Sequence, residues 1–314
     1  MGTRRPSAFA IGLAAAIGAA MLAGCENGDR RPAIDPPNGT QAQNAEPVPT
    51  YSDVVETVNA NADRLDQLRA SVVITVRRPD PEDPDELVQD QAEGTFQLDR
   101  PSNVALSVRR LGETFFWLGS DADRYWWLDL RDKDDKYALV GRHDLATPEI
   151  AGDLGLPVHP LELLDLMGLT GLPPVDTTTV GPPREGNVAW GDDRQTVVVD
   201  VPSRWGTRRV TLEGGSLLPI RVELLDEAGA VILSSELSEH EFVRERRGGI
   251  GPKLASRASV MNPAENTRIS IKLFNAEGRE PTAAAFDLPR LVRANRIAAD
   301  QVYDLDSRVG EAGE

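Results

Sequence analysis

From Ala70 onward the apolar residues leave a helical spacing for alternation, and the alternation persists through stretches at 71–76, 92–99, 103–111, 113–119, 124–130 and 136–142. Successive side chains of a strand point to opposite faces, so a period of two predicts strands that share one core face. The connections at 111–112, 120–123 and 132–135 are short and rich in Gly and Asp, which predicts hairpins and an antiparallel meander. No helical stretch interrupts them, and that argues against a parallel α/β sheet. Further strands are expected at 187–190, 195–201, 207–213, 218–225, 231–243 and 267–274, with 283–289 as a last edge strand. A chain of 314 residues with 40% hydrophobic content can bury one large all-β core or two smaller ones.

Two segments keep a helical period. Residues 51–69 carry Val54, Val55, Val58, Ala62, Leu65 and Leu68 on one side, with Ser52 placed as N-cap. Residues 159–169 (HPLELLDLMGL) have Pro160 in the first turn and Gly168 near the end. There Leu161, Leu164 and Met167 lie on one side while Leu163, Leu166 and Leu169 lie toward another, so this helix must be covered nearly all round.

Six of the sixteen aromatic residues fall within one predicted hairpin: Phe115, Phe116, Trp117, Tyr125, Trp126 and Trp127. Phe116 and Leu118 face one way, Phe115 and Trp117 the other, and Trp126 and Trp127 divide likewise, so both faces are apolar. Such rings bury on the order of 150–250 Å² each. Two readings follow: a core packed beneath the two helices, or an apolar ligand cavity between a curved sheet and a helical lid. The lining candidates for the cavity are Phe116, Leu118, Trp126, Trp127, Leu161, Leu164 and Met167.

At the N-terminus Arg4 and Arg5 precede an apolar run at 8–22 that ends in Leu22-Ala23-Gly24-Cys25. The run is shorter than the roughly 20 residues needed to span a bilayer, and it reads as a signal peptide, 1–24, with a bacterial lipobox. The Cys25 thiol is the expected site of lipidation and of attachment to a membrane. As the lone cysteine it excludes a disulfide framework and a cysteine-based zinc cluster. Residues 25–50, rich in Pro, Asn, Gln and Ala, cannot bury enough surface to order themselves and form a tether of roughly 25–30 Å as a coil.

With 34 Lys and Arg against 50 Asp and Glu, the net charge of −16 argues against nucleic acid as a partner. Removal of 1–24 takes away two arginines and no acid, and anionic lipid would repel what remains, so the acyl anchor rather than charge must hold the membrane. His143, His159 and His240 lie far apart without metal-ligand spacing and are expected on the surface or in loops. The acidic loop at 78–90 lacks the spacing of a calcium loop, and no nucleophile elbow, Walker loop or dinucleotide fingerprint occurs. No enzyme activity, cofactor or metal is expected, and the chain is expected to be a monomer.

Asn59-Ala60-Asn61-Ala62-Asp63-Arg64-Leu65-Asp66-Gln67-Leu68, then Arg100-Pro101-Ser102-Asn103-Val104-Ala105-Leu106, then Phe116-Trp117-Leu118-Gly119-Ser120-Asp121-Ala122-Asp123-Arg124-Tyr125-Trp126 follow in an order that resembles the LolA/LolB-like lipoprotein-localisation family. The resemblance covers roughly 51–289 and leaves 290–314 as a charged tail, a surface helix that frays. It implies a mainly β fold with a few helices: an incomplete antiparallel β-barrel with a helical lid and a cavity for acyl chains of lipid or lipoprotein. The lipobox makes the chain look like the anchored receptor member, and Glu26 in place of Asp after the cysteine implies the outer membrane, facing the periplasm. By strand count the receptor's membrane-transfer leucine corresponds to Leu111, and the carrier's cavity arginine falls on Arg77, Arg109 or Arg124. A second class of function stays open, an anchored interaction or assembly module that binds another protein through its sheet.

Overall fold

The computed structural model describes residues 47–80, 82–147, 159–174, 187–192, 194–204, 206–245 and 249–308. The expected signal peptide, Cys25 and the tether up to residue 46 lie outside these residues. Helix α1 spans Tyr51–Ala62, and its N-cap is Thr50 rather than Ser52, with a capping box in which Thr50 and Asp53 each accept from the other's backbone N–H. It is shorter than the expected 51–69, because Leu65 and Leu68 enter the core from the following turn and the first strand.

Six strands follow in order: β1 Gln67–Pro79, β2 Leu87–Asp99, β3 Asn103–Arg110, β4 Glu113–Ser120, β5 Arg124–Asp129 and β6 Tyr137–Arg142. Helix α2 is Pro160–Leu166. A second run comprises β7 Asn187–Trp190, β8 Thr196–Ser203, β9 Gly206–Glu213, β10 Pro219–Leu225, β11 Val231–Glu245, β12 Ile250–Asn262 and β13 Thr267–Gly278. Helix α3, Leu288–Asn295, and the short β14, Val302–Asp304, complete the described chain.

Both runs are antiparallel meanders. They are fused by β1 against β13, with Val72 opposite Leu273 and Ile74 opposite Ile271. The order is β14-β6-β5-β4-β3-β2-β1-β13-β12-β11-β10-β9-β8-β7, a curved sheet that stays unclosed. One face carries the main core, in which Val72, Phe96, Leu106, Val199, Leu212 and Leu273 meet Tyr51 and Val54 of α1 and Leu163, Leu164 and Met167 of α2. The reverse face carries a smaller core of Trp126, Leu128 and Ala138 beneath Leu288 and Leu291 of α3. The fold is the expected open antiparallel half-barrel with helices over its inner face.

Three sequence expectations are corrected. Strand β12 was not anticipated: Gly251 and Pro252 interrupt the alternation at its start, and Ala255, Ser256 and Ala258 give it little apolar contrast, so its neighbours β11 and β13 decide its conformation. Residues 283–289 are not a strand. Asp287 caps α3 by accepting from the Arg290 N–H, and Pro289 in the first turn has no N–H for a sheet. Nor are residues 290–308 a fraying tail, since α3 packs on Trp126 and β14 adds in parallel to β6; residues 309–314 lie outside the described residues.

Candidate functional site

Helix α2 has seven residues, of which Pro160, Glu162, Leu163, Leu164 and Leu166 are buried. Proline opens it with a preset φ. Gly168 closes it at φ +65°, where a Cβ would stand 2.7 Å from Leu237 Cδ1 and 2.9 Å from Pro219 Cγ. Leu163, Leu164 and Met167 enter the main core, while Leu166 joins a separate cluster with Leu224, Leu233 and Val260. The helix is thus an apolar plug seated inside the open half-barrel.

Polar ties hold this plug and the segment behind it. Asn59 of α1 donates Nδ2 to the Leu172 carbonyl (2.8 Å) and accepts the Leu172 N–H (2.7 Å), and the Tyr51 hydroxyl donates to the Pro173 carbonyl (2.7 Å). Arg100 donates Nε to the Leu65 carbonyl (2.7 Å) and Nη2 to the Leu169 carbonyl. Arg208 of β9 donates Nη2 to the Gly171 carbonyl (2.7 Å) and Nη1 to the Asp165 carboxylate. Arg77, Arg109 and Arg124, the expected cavity arginines, are all exposed, whereas Arg208 is buried. Its signal was in the sequence: Arg208, Val210 and Leu212 alternate onto the same inward face.

His143 and His159, expected apart and near the surface, are buried and in contact. The Leu161 N–H donates to His159 Nδ1 (3.2 Å), which leaves His159 Nε2 as the protonated nitrogen. That nitrogen donates to His143 Nδ1 (3.1 Å), and His143 Nε2 in turn donates to the Asp121 carbonyl (2.9 Å). The His159 ring is therefore neutral. Burial first, then Arg204 and His143, holds His159 down at about 2. Glu162 is pushed up to about 8 by burial and by Asp165, and its Oε2 has no partner among the described residues. Stacked near both imidazoles, the Tyr125 hydroxyl is raised to about 12, mainly by burial. These contacts pin the start of α2 to β5 and to the turn after β6.

Of the expected lining residues, Leu118, Trp127, Leu164 and Met167 share the main core, and Phe116 and Leu161 pack against it. Phe116 meets Trp127 edge to face with centroids 4.2 Å apart. Trp126 does not join them: it lies on the reverse face, fully buried beneath α3. A small pocket of about 40 Å³ under the helices lies elsewhere among the described residues, between Val58 and Asn61 of α1, Asp165 and Gly168, and Arg208, Val210 and Val222 of the sheet. That is room for about one water, where ligand pockets run to roughly 300–1,000 Å³. Leu111 stands fully exposed at the tip of the β3–β4 hairpin, in a two-residue turn with φ +52° at Leu111 and +86° at Gly112.

No protein family model matches the chain, and no curated protein does. Among solved structures, a LolA superfamily protein from Nitrosomonas europaea is similar at 11% identity and TM-score 0.47, over 76% of this chain and 98% of that one. A DUF1329 family protein from Desulfovibrio piger is similar at 12% identity and TM-score 0.45, over 77% and 97%. An outer membrane lipoprotein-sorting protein domain from Vibrio parahaemolyticus is similar at 12% identity and TM-score 0.45, over 78% and 98%. These are likenesses of fold, and the open half-barrel described here stands on its own strand order and registers.

Proposed function

We propose that this chain is a lipid-anchored protein of the bacterial envelope that binds the acyl chains of a lipid or lipoprotein and does not catalyse their turnover. The observation that carries the reading is α2, a seven-residue helix whose leucines fill the inside of an unclosed sheet. So short a helix has little stability of its own. An acyl chain that took its place would keep the same apolar surfaces of the sheet covered. In this reading Cys25 is the anchor, the tether sets the domain clear of the outer membrane on its periplasmic side, and Leu111, flanked by the exposed Arg109 and Arg110, meets a membrane or a carrier during transfer. Binding of a fluorescent fatty-acid probe to the purified chain, or lipid retained in non-denaturing mass spectrometry, is the expected result. A chain that shows neither does not bind acyl chains. Replacing Cys25 by Ala is expected to release the protein from membranes in a salt wash; retention would sink the anchoring claim.

A second reading, an interaction module, is favoured by exposed apolar residues on β11, β12 and β13. Phe242, Ile250 and Phe274 are 55%, 70% and 40% exposed, and Lys253 and Lys272 stand 5.0 and 5.3 Å over the Phe242 and Phe274 rings. A protein partner seated there would leave the purified chain free of bound lipid.

A further inference from the structure

The inner face of β9 carries a charge that an acyl chain alone cannot satisfy. Arg208 has a side chain only 7% exposed, and its neighbours across the two adjoining strands are Val201 and Leu224, both buried. A guanidinium does not lose its proton in a protein, so the charge is permanent. Among the described residues, both of its hydrogen bonds go to the plug segment: Asp165 on α2 and the carbonyl of Gly171 just behind it. Its Nε is buried without a partner among the described residues, and the group lines the small space beneath α1 and α2.

On the reading of α2 as a displaceable plug, its departure removes Asp165 and Gly171 and leaves Arg208 in the sheet. Removing one partner of a buried ion pair is strongly destabilising, because the remaining charge is neither solvated nor paired. Glu162 cannot compensate, since it travels with the same helix. A neutral chain would fill the imprint of the leucines and leave the arginine uncompensated. A chain ending in a carboxylate or phosphate would fill the imprint and also match the planar fork of the guanidinium.

We propose that the ligand is an anionic amphiphile, that Arg208 seats its headgroup, and that the Asp165 carboxylate holds this seat when no ligand is bound. The inference rests on the acyl-binding reading and narrows it from any acyl chain to one with an anionic head.

The test compares dansylaminoundecanoic acid with its methyl ester on the purified full chain at about pH 8, where a carboxylate is ionised. The acid is expected to bind about ten- to hundredfold tighter than the ester, the range of a charge-assisted hydrogen-bonded contact. Asp165→Asn, which weakens the occupied seat and leaves the ligand-bound one unaltered, is expected to tighten acid and ester alike, and Arg208→Met to bring the acid-to-ester ratio near unity. If Arg208→Met does not fold, Arg208→Lys, which keeps the charge and loses the planar fork, decides by lowering the ratio. Displacement of the acid probe by palmitate more than by lysophosphatidic acid assigns a carboxylate head, and the reverse order a phosphate. An ester bound as tightly as the acid, Asp165→Asn affinities no tighter than those of the unaltered chain, or equal displacement by a neutral monoacylglycerol overturns the proposal while leaving acyl binding intact. Failure of both probes to bind overturns the acyl-binding reading and this inference together.

Discussion

Helices α2 and α3 cover opposite faces of one sheet and are built on opposite plans. Helix α3 buries one stripe, Leu288 and Leu291, against Trp126 and Leu128, and turns Arg290 and Arg293 to solvent. Its ends are finished by the Asp287 cap and by Arg296 in a left-handed conformation. Helix α2 is buried on nearly every side, brings Glu162 and Asp165 into the interior, and is held by polar ties from His143, Arg100 and Arg208 to it and the segment behind it. The contrast distinguishes a permanent cover from an occupant. What lies under α3 is apolar apart from the buried indole N–H groups of Trp117 and Trp126, whereas what lies under α2 includes a charge that needs a counter-charge.

The largest expected effect separates the two helices directly. Trp126→Ala leaves a cavity beneath α3 and is expected to cost about 3–5 kcal/mol, read as a fall in the urea midpoint, with the probe affinity of the folded fraction unchanged. Leu164→Ala within α2 is also expected to lower stability, by about 2–5 kcal/mol, but to tighten probe binding by weakening the occupant. Equal effects of the two variants on probe affinity would erase the distinction.

The pH dependence of α2 docking comes next. His159 is held at about 2 against an ordinary 6.5, and Glu162 at about 8 against 4.5. Between pH 4.5 and 6.5 the unfolded chain binds the extra proton at His159 while the folded chain binds one at Glu162, so the two slopes cancel. Below 4.5 only His159 acts and stability falls with falling pH; from 6.5 toward 8 only Glu162 acts and stability falls with rising pH. Each limb approaches about 1.4 kcal/mol per pH unit. Hydrogen exchange of the α2 amides, corrected for intrinsic rates, should trace this plateau, and Glu162→Gln should remove the alkaline limb and extend the acid limb up to about pH 6.5. The α3 amides should show neither limb.

Arg100→Ala deletes the donors to the Leu65 and Leu169 carbonyls and is expected to cost about 1–3 kcal/mol, with faster exchange in α2 than in α3. The smallest effect is expected outside both helices. Leu111→Asn suits the left-handed turn better than leucine and is expected to change stability by no more than about 1 kcal/mol, in the stabilising direction, while slowing lipid transfer to vesicles. Unchanged transfer would remove Leu111 from the membrane-contact role.

Local pattern alone determined a good deal of this protein. Alternation located twelve of the fourteen strands, the two-residue turn at Leu111-Gly112 set the β3–β4 hairpin, and the leucines spread around 159–169 required a helix covered on all sides. Those features depend on residues a few positions apart, where periodicity and turn chemistry operate. Strand β12 was hidden because its small residues carry no strong alternation, and β14 because three residues carry no period. The fusion of the two meanders through β1 and β13 depends on a pairing between distant residues that no local signal encodes. The same holds for the site. The inward parity of Arg208 was legible, but its partner Asp165 lies 43 positions away, and His143 meets His159 only because α2 folds back onto the end of β6. The aromatic hairpin shows the division most plainly: strand parity dictated that Trp126 and Trp127 would face apart, and only the docking of α3 decided that the reverse face would be covered as fully as the inner one.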